Sequence, residues 1–309
     1  MNSNFNEINL YITSLGDFTN LVKSKKGTFR NKVLSNNPVN DIFVYRGCSN
    51  ILYSLLPGIL RKVIDGDEHK VENDKYLALG NEKMILTEFI NYASKFIKLD
   101  QDDYVHWAEY AQHYGLPTRF LDWTCNPLVA LFFACRDDDK KDGCVWFLHD
   151  YNYRQLLYQN PDNNYDDHSI SDSIKSMMLE DNILTRYKMP IIYKPTYVDD
   201  RMNNQKSVFM AWGSKEEPFE DLVAGEIEHI ENIKDVNGYV ATVSKTSNAV
   251  LFRVIIKAKD KCHILRELDS VGINEMFLFP GLDGIGKYVE RKYRFNMQEM
   301  IDINFNNYF

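Results

Sequence analysis

The stretch Ala111-Gln-His-Tyr-Gly-Leu-Pro-Thr-Arg-Phe-Leu-Asp-Trp-Thr-Cys-Asn-Pro-Leu-Val-Ala-Leu-Phe-Phe-Ala134 decides how the chain is read. It begins inside a helix whose stripe is Trp107, Tyr110, Ala111 and Tyr114. Gly115 and Pro117 stop that helix in the expected order. Asn126-Pro127 opens another, as a side-chain cap followed by proline at the first helical position. Residues 128–134 are apolar all round, so this second helix is buried. Between the two lie Thr118, Arg119, Asp122 and Thr124. So many hydrogen-bonding groups in a loop between rigid supports suggest a shaped site. A capping network fits the same residues, with Asp122 or Thr124 on helix amides and Arg119 paired to Asp122.

On the N-terminal side, residues 82–97 carry the helical stripe Ile85, Phe89, Ala93 and Phe96. Residues 41–47 read as a short strand ending at Gly47, and Leu56-Pro-Gly58 as a turn. Ile8, Tyr11, Ile12, Leu15, Phe18, Leu21 and Val22 recur at three and four, which predicts an amphipathic helix over 6–22. A basic, glycine-containing break follows at 23–28. Residues 1–40 are taken as an N-terminal helical segment and 41–309 as the main domain.

On the C-terminal side, strands are predicted at 144–148, 191–197, 207–212 and 250–256. The last alternates Val250, Phe252, Val254 and Ile256 with less buried positions. Residues 160–172, rich in Asn and Asp, read as a solvated loop. Residues 216–235 are acidic, with a helix at 219–228. A helix spans 260–271 with Gly272 as its stop, a short strand spans 276–279, and a last helix begins at 285. Strands and helices mix without a βαβ rhythm, and neither GxGxxG nor GxxxxGKS occurs. The class is therefore α+β rather than a doubly wound parallel sheet.

The chain has 309 residues, 44% of them apolar and 26% charged, an ordinary composition for a sizeable core. Its net charge of −8 disfavours a general coat for phosphate backbones, though not a local basic pocket. The five cysteines, Cys48, Cys125, Cys135, Cys144 and Cys262, form no CxxC pair and read as reduced thiols. His106 and His113 lie two helical turns apart, but no Cys or third His completes a metal site, so no metal is expected. The N-terminus lacks an apolar signal region, and the longest apolar run, 128–135, is too short to span a bilayer. A cytoplasmic location and no membrane partner are the expectation.

Two further segments carry charge where it needs a reason. Arg46, in Tyr45-Arg46-Gly47, ends an apolar strand, where a guanidinium is costly to bury alone. It suits phosphate or carboxylate, and the glycine lets a ligand or chain come close. Alone, it reads equally as an ordinary salt bridge. Glu275, in Gly272-Ile-Asn-Glu-Met-Phe-Leu-Phe-Pro-Gly-Leu-Asp-Gly284, follows a helix stop and precedes an apolar run. It could face a cleft, or sit in a solvated loop.

Taken in order, Y-R-G, H-Y-G-L-P-T-R-x-L-D-W-T-x-N-P-L-V-A-L-x-F-A and G-I-N-E-x-x-L-F-P-x-L-D-G resemble the FRG domain family. That family is named for a Phe-Arg-Gly triplet; Tyr45 stands in place of the Phe. Arg201-Met-Asn-Asn-Gln205-Lys-Ser-Val-Phe209 looks like a fourth family segment, and the resemblance covers roughly residues 42–289. The family in turn looks like a distant branch of the ADP-ribosyltransferase fold, which implies a split β-sheet core with flanking helices. In that fold's pattern Arg46 takes the place of the first-strand Arg or His. Thr118 to Thr124 take that of the Ser/Thr-rich segment, departing from the usual Ser-Thr-Ser. Glu275 takes that of the glutamate before a Val-Leu-Ile-Pro type strand.

The resemblance implies an NAD-dependent ADP-ribosyltransferase, a toxin or phage-defence effector acting on a macromolecule, protein or nucleic acid, with an antitoxin or sensor partner. An NAD glycohydrolase and a non-catalytic nucleotide-binding module share the same expectations. NAD would be the substrate and no metal is implied. The carboxylate facing the ribose would be Glu275, with Asp122 sharing the work. Arg46 would hold the pyrophosphate, with Arg119 a second candidate. Tyr45, Trp123 and Tyr114 are candidates for the wall of the nicotinamide, with Gly47, Thr118 and Thr124 completing the pocket.

Overall fold

The computed structural model describes residues 10–30, 43–61, 79–159, 170–179, 188–197, 199–224, 230–234, 240–244 and 250–306. The strands are β1 (Tyr11–Ile12), β2 (Phe43–Cys48), β3 (Phe120–Thr124), β4 (Gly143–His149), β5 (Ile191–Tyr193), β6 (Ser207–Ala211), β7 (Ile230–Lys234), β8 (Val240–Ser244) and β9 (Leu251–Ile256). The α-helices up to the middle of the chain are α1 (Leu15–Arg30), α2 (Glu82–Ala93), α3 (Tyr104–His113), α4 (Pro127–Arg136), α5 (Asp150–Gln159) and α6 (Ile170–Leu179). Then follow α7 (Asp200–Gln205), α8 (Phe219–Leu222), α9 (Ala258–Ser270), α10 (Glu275–Leu278) and α11 (Leu282–Asn306).

One sheet has the order β1-β9-β4-β2-β3-β6-β5. Its β1–β9 pair is parallel and its other pairs are antiparallel. This bears out the α+β class. β7 and β8 form a separate antiparallel hairpin.

Alternation along the strands sorts the side chains into layers. Phe43, Tyr45, Val145, Phe147, Phe252 and Val254 face a core built with α1, α4 and α9. Phe147 and Phe252 stack at its centre, 4.5 Å apart. Phe120, Phe209 and Ala211 face a second core against α2, α3 and α6. Residues of the opposite parity, among them Val44, Cys48, Trp146, Leu121, Trp123, Val208 and Met210, join one continuous third core with Tyr153 of α5 and Phe219 of α8. One face of the sheet is thus covered by two cores with a gap between them, and the other by one.

Several expectations are corrected. Residues 11–12 are not helical but add a strand beside β9, and 6–9 lie outside the described residues. The helix then runs unbroken through 23–28, because Lys25 is buried with its ammonium 4.6 Å over the Phe252 ring. The polar segment before α4 is a strand, β3, not a loop. Phe120, Leu121 and Trp123 bury themselves while all five of its residues pair with β6. The predicted 276–279 strand is instead the helical turn α10, capped by Asn274, whose Oδ1 accepts from Phe277 N at 3.1 Å. Met276 and Phe277 are too exposed for a central strand. Of the 160–172 loop, 160–169 lie outside the described residues and 170–172 begin α6; α8 ends at Leu222, with 225–229 also outside.

Candidate functional site

β2 pairs with β4 through six register positions, and β3 with β6 through five. β2 and β3 meet at one described register pair, Tyr45↔Thr124. Beyond it the two strands diverge, and the sheet opens between Arg46-Gly47 and Asp122-Trp123. α4 is held close to this opening by Gly47. A Cβ there would lie 1.9 Å from the carbonyl oxygen of Ala130, so helix and strand touch backbone to backbone. Gly47 thus serves the close approach of a chain.

A cleft lies at the split. Tyr45, Arg46, Gly47, Asp122 and Thr124 line it from β2 and β3, and Val129 and Phe133 from α4. Gln112 and His113 line it from α3, and Arg201, Met202 and Gln205 from α7, with Ser207 and Phe209 from β6. Its volume of ≈ 230 Å³ is below the ~300–1,000 Å³ usual for a drug-sized ligand.

The electrostatics are those of an anion site with one carboxylate. Arg46 leaves β2 on the same side as Val44 and Cys48, and its Nη1 donates to the carbonyl oxygen of Asp122 across the split. Its Nε is buried and, among the described residues, has no hydrogen-bond partner. Arg61, whose Nε donates to Leu56 O at 3.1 Å, is held below the ordinary arginine range by burial and then by repulsion from Arg46, with Asp122 opposing. Arg201 is lowered by burial too, while Asp122 and Asp199 pull it back. Two guanidiniums, Arg61 and Arg201, therefore share the field of Asp122, in a chain whose net charge is −8.

Asp122 is the exposed residue of β3. Its Oδ2 accepts from Gln112 Nε2 at 3.1 Å. Gln112 is fixed in turn, because its Oε1 accepts from the Thr118 hydroxyl and its Nε2 also donates to Phe120 O at 3.2 Å. The carboxylate is therefore oriented through half-buried Gln112 and buried Thr118.

The remaining sequence-predicted residues divide. Thr118 acts on the cleft only through Gln112. Arg119 is 2% exposed, bonded through Nε to Glu82 and through Nη1 to Trp212 O at 3.1 Å, and does not line the cleft. Thr124 lines it, but its hydroxyl donates to Gln205 O at 2.6 Å and accepts from Asn126 N. Trp123 also lines the cleft, while its ring sits edge-on to Phe219, 6.4 Å away in the continuous core. Tyr45 is buried against Phe147, with ring centroids 5.0 Å apart. Tyr114 is 70% exposed and off the cleft.

Glu275 is also off the cleft lining. It is 2% exposed and held by both arms of Arg291, at 2.6 Å and 2.8 Å. Its segment nevertheless reaches the site. Asn204 and Gln205 donate to the carbonyls of Phe277 and Leu278 at 2.7 Å and 3.0 Å, tying α7 to α10. The Phe279 ring lies 4.9 Å from the Arg201 guanidinium and 5.1 Å from that of Arg136.

Residues missed as site members are Gln112, His113, Phe133 and Arg201, with Arg61 off the lining but in the field of Arg46. Arg201 stood in a recognised segment, and Gln112 and His113 directly preceded the polar stretch. Nothing in the sequence marks Arg61, which reaches Arg46 only through the fold.

Residues 41–143, from β2 to the start of β4, match the FRG domain. They hold Tyr45-Arg46-Gly47, the α3–β3–α4 unit and Asp122, so the matched segment builds the cleft's β2–β3 split and its α3 and α4 walls. No curated protein and no solved structure matches the chain. Among the described residues no helix is long and apolar enough to cross a membrane.

Proposed function

We propose that the cleft binds NAD and breaks its nicotinamide–ribose bond, passing ADP-ribose to an acceptor. What carries this reading is the pairing of Arg46, with an unpartnered buried Nε, and Asp122, the exposed strand carboxylate, on the two lips of a split sheet. Arg46 and Arg201, both on the cleft lining, suit a pyrophosphate, which guanidinium donors bind in fixed geometry. Cleavage builds oxocarbenium-like charge on the ribose. A carboxylate aimed at that charge stabilises the transition state more than the ground state.

We assign that role to Asp122, because Glu275 is taken up by Arg291. Phe133 supplies an apolar wall at the cleft. The acceptor is a macromolecule, as expected of a toxin or phage-defence effector, and it brings its own nucleophile.

The test is incubation with NAD labelled in the adenylate. Wild-type protein is expected to transfer label to a macromolecule, and Asp122→Asn to lose about a hundredfold in turnover, the usual cost of one such electrostatic contact. NAD affinity should change little. Full activity of Asp122→Asn would reject the assignment, and free ADP-ribose as sole product would make the protein a glycohydrolase.

A further inference from the structure

A second chemical group faces the cleft from α3. His113 lines it beside Asp122 and Arg201, with its side chain 16% exposed. Its Nε2 lies 2.9 Å from Asp199 Oδ2. The other oxygen of Asp199 accepts from Met202 N at 2.9 Å, capping α7. Asp199 is thereby fixed in place, and a carboxylate there holds the proton of the imidazole on Nε2. The remaining ring nitrogen, Nδ1, then carries a lone pair. Among the described residues nothing donates to it.

We propose that His113 is the general base of the transfer, taking the acceptor's proton on Nδ1 while Asp199 fixes its tautomer; this rests on the reading of the cleft as an NAD site. The nucleophile of the macromolecular acceptor is a neutral X–H group, a hydroxyl. As the X–H proton passes to Nδ1, the freed electron pair of X forms a bond to the anomeric carbon of the ribose. The bond from that carbon to nicotinamide breaks, and its electron pair goes to the ring nitrogen, cancelling the pyridinium charge. The products are ADP-ribosyl-X, neutral nicotinamide and an imidazolium, which Asp199 and Asp122 stabilise by charge. Burial first, with Arg201 adding to it, holds His113 below its ordinary 6.5, against the pull of Asp199 and Asp122. The free enzyme therefore has a neutral imidazole at pH 7.

The roles of the two carboxylates can be separated by the nucleophile. NAD turnover and NAD affinity are measured for the wild type, His113→Gln, Asp199→Asn and Asp122→Asn, with and without azide. Azide is an anionic nucleophile with no proton to lose. The expected result is a loss of about a hundredfold in kcat for His113→Gln, with unchanged affinity by calorimetry and turnover restored by azide as a ribosyl azide. Asp199→Asn keeps an α7 cap, since asparagine caps as well as aspartate, but can donate to Nε2 and turn the ring tautomer over. It is expected to show the same azide rescue, while Asp122→Asn is not rescued. The wild-type rate should fall on acidification below pH 6.5, and that limb should be absent from His113→Gln.

Wild-type kcat in His113→Gln, or a loss that azide does not repair, would overturn the role of His113 while leaving the NAD reading intact. Wild-type protein that neither binds nor cleaves NAD would overturn both.

Discussion

Replacing Glu275 by glutamine separates a structural carboxylate from a catalytic one. The side chain is 3% exposed, and both its oxygens are taken by Arg291 of α11, itself 11% exposed and 16 residues further along the chain. Glutamine keeps the shape but turns one acceptor into a donor facing a guanidinium, and removes the charge that Glu275 sets against it. Breaking a buried pair from one side costs about 3–5 kcal/mol. Arg291 retains some access to water, so the lower end applies, about 3 kcal/mol. With an unfolding entropy of about 2.1 cal/mol/K per residue over 309 residues, the melting temperature should fall by about 5 °C.

Calorimetry or circular dichroism on heating would measure this fall. NAD turnover, measured well below the melting transition, should stay within a few fold of wild type. The double variant Glu275→Leu/Arg291→Met should recover most of the loss, because an apolar pair leaves no charge behind. A Glu275→Gln protein that melts with the wild type yet has lost turnover would refute the reasoning and return the catalytic carboxylate to this position.

Arg46→Ala should weaken NAD binding by roughly ten- to a hundredfold, the worth of a charge-assisted hydrogen bond of about 1.5–3 kcal/mol; unchanged affinity in titration calorimetry would remove the guanidinium from the site. Glu109, 1% exposed on α3, is pushed by burial up to about 7 from its ordinary 4.5. The folded state therefore favours its protonated form. This contribution to stability is full below pH 4.5 and is lost as pH rises through about 7. Glu109→Gln should hold its melting temperature better than wild type over that window, and parallel curves would count against the buried acid.

The strands at the centre of the sheet were readable because β2, β4 and β9 are short apolar runs bounded by glycine or polar residues. The start of α4 was readable because Asn126-Pro127 is a local signal that no tertiary contact needs to confirm. β3 was misread because its loop-like composition hides a strand whose partner, β6, lies over 80 residues away in the chain. α10 was misread because four residues after an Asn cap show no helical period, and the apolar run looks extended.

The site was legible in part for the same reason. Arg46 belongs to a strand with a local signal, and Asp122 to a polar stretch that stands out in the sequence although its strand does not. The engagement of Glu275 by Arg291 and of Arg119 by Glu82 depends on side chains brought together by packing, which spacing does not encode. The third segment meets Arg201 and Arg136 through Phe279, a ring beneath two guanidiniums, while its carboxylate is held by Arg291.

The single rung between β2 and β3 sets the mechanical character of the molecule. Two plates of ladder meet at Tyr45 and Thr124 and rest on a shared apolar bed below. Prising the lips apart stretches one described backbone pairing and the Arg46 strut, whereas parting β2 from β4 or β3 from β6 would rupture a run of six or five. Of the joints at the centre of the sheet, the most compliant lies at the mouth of the cleft.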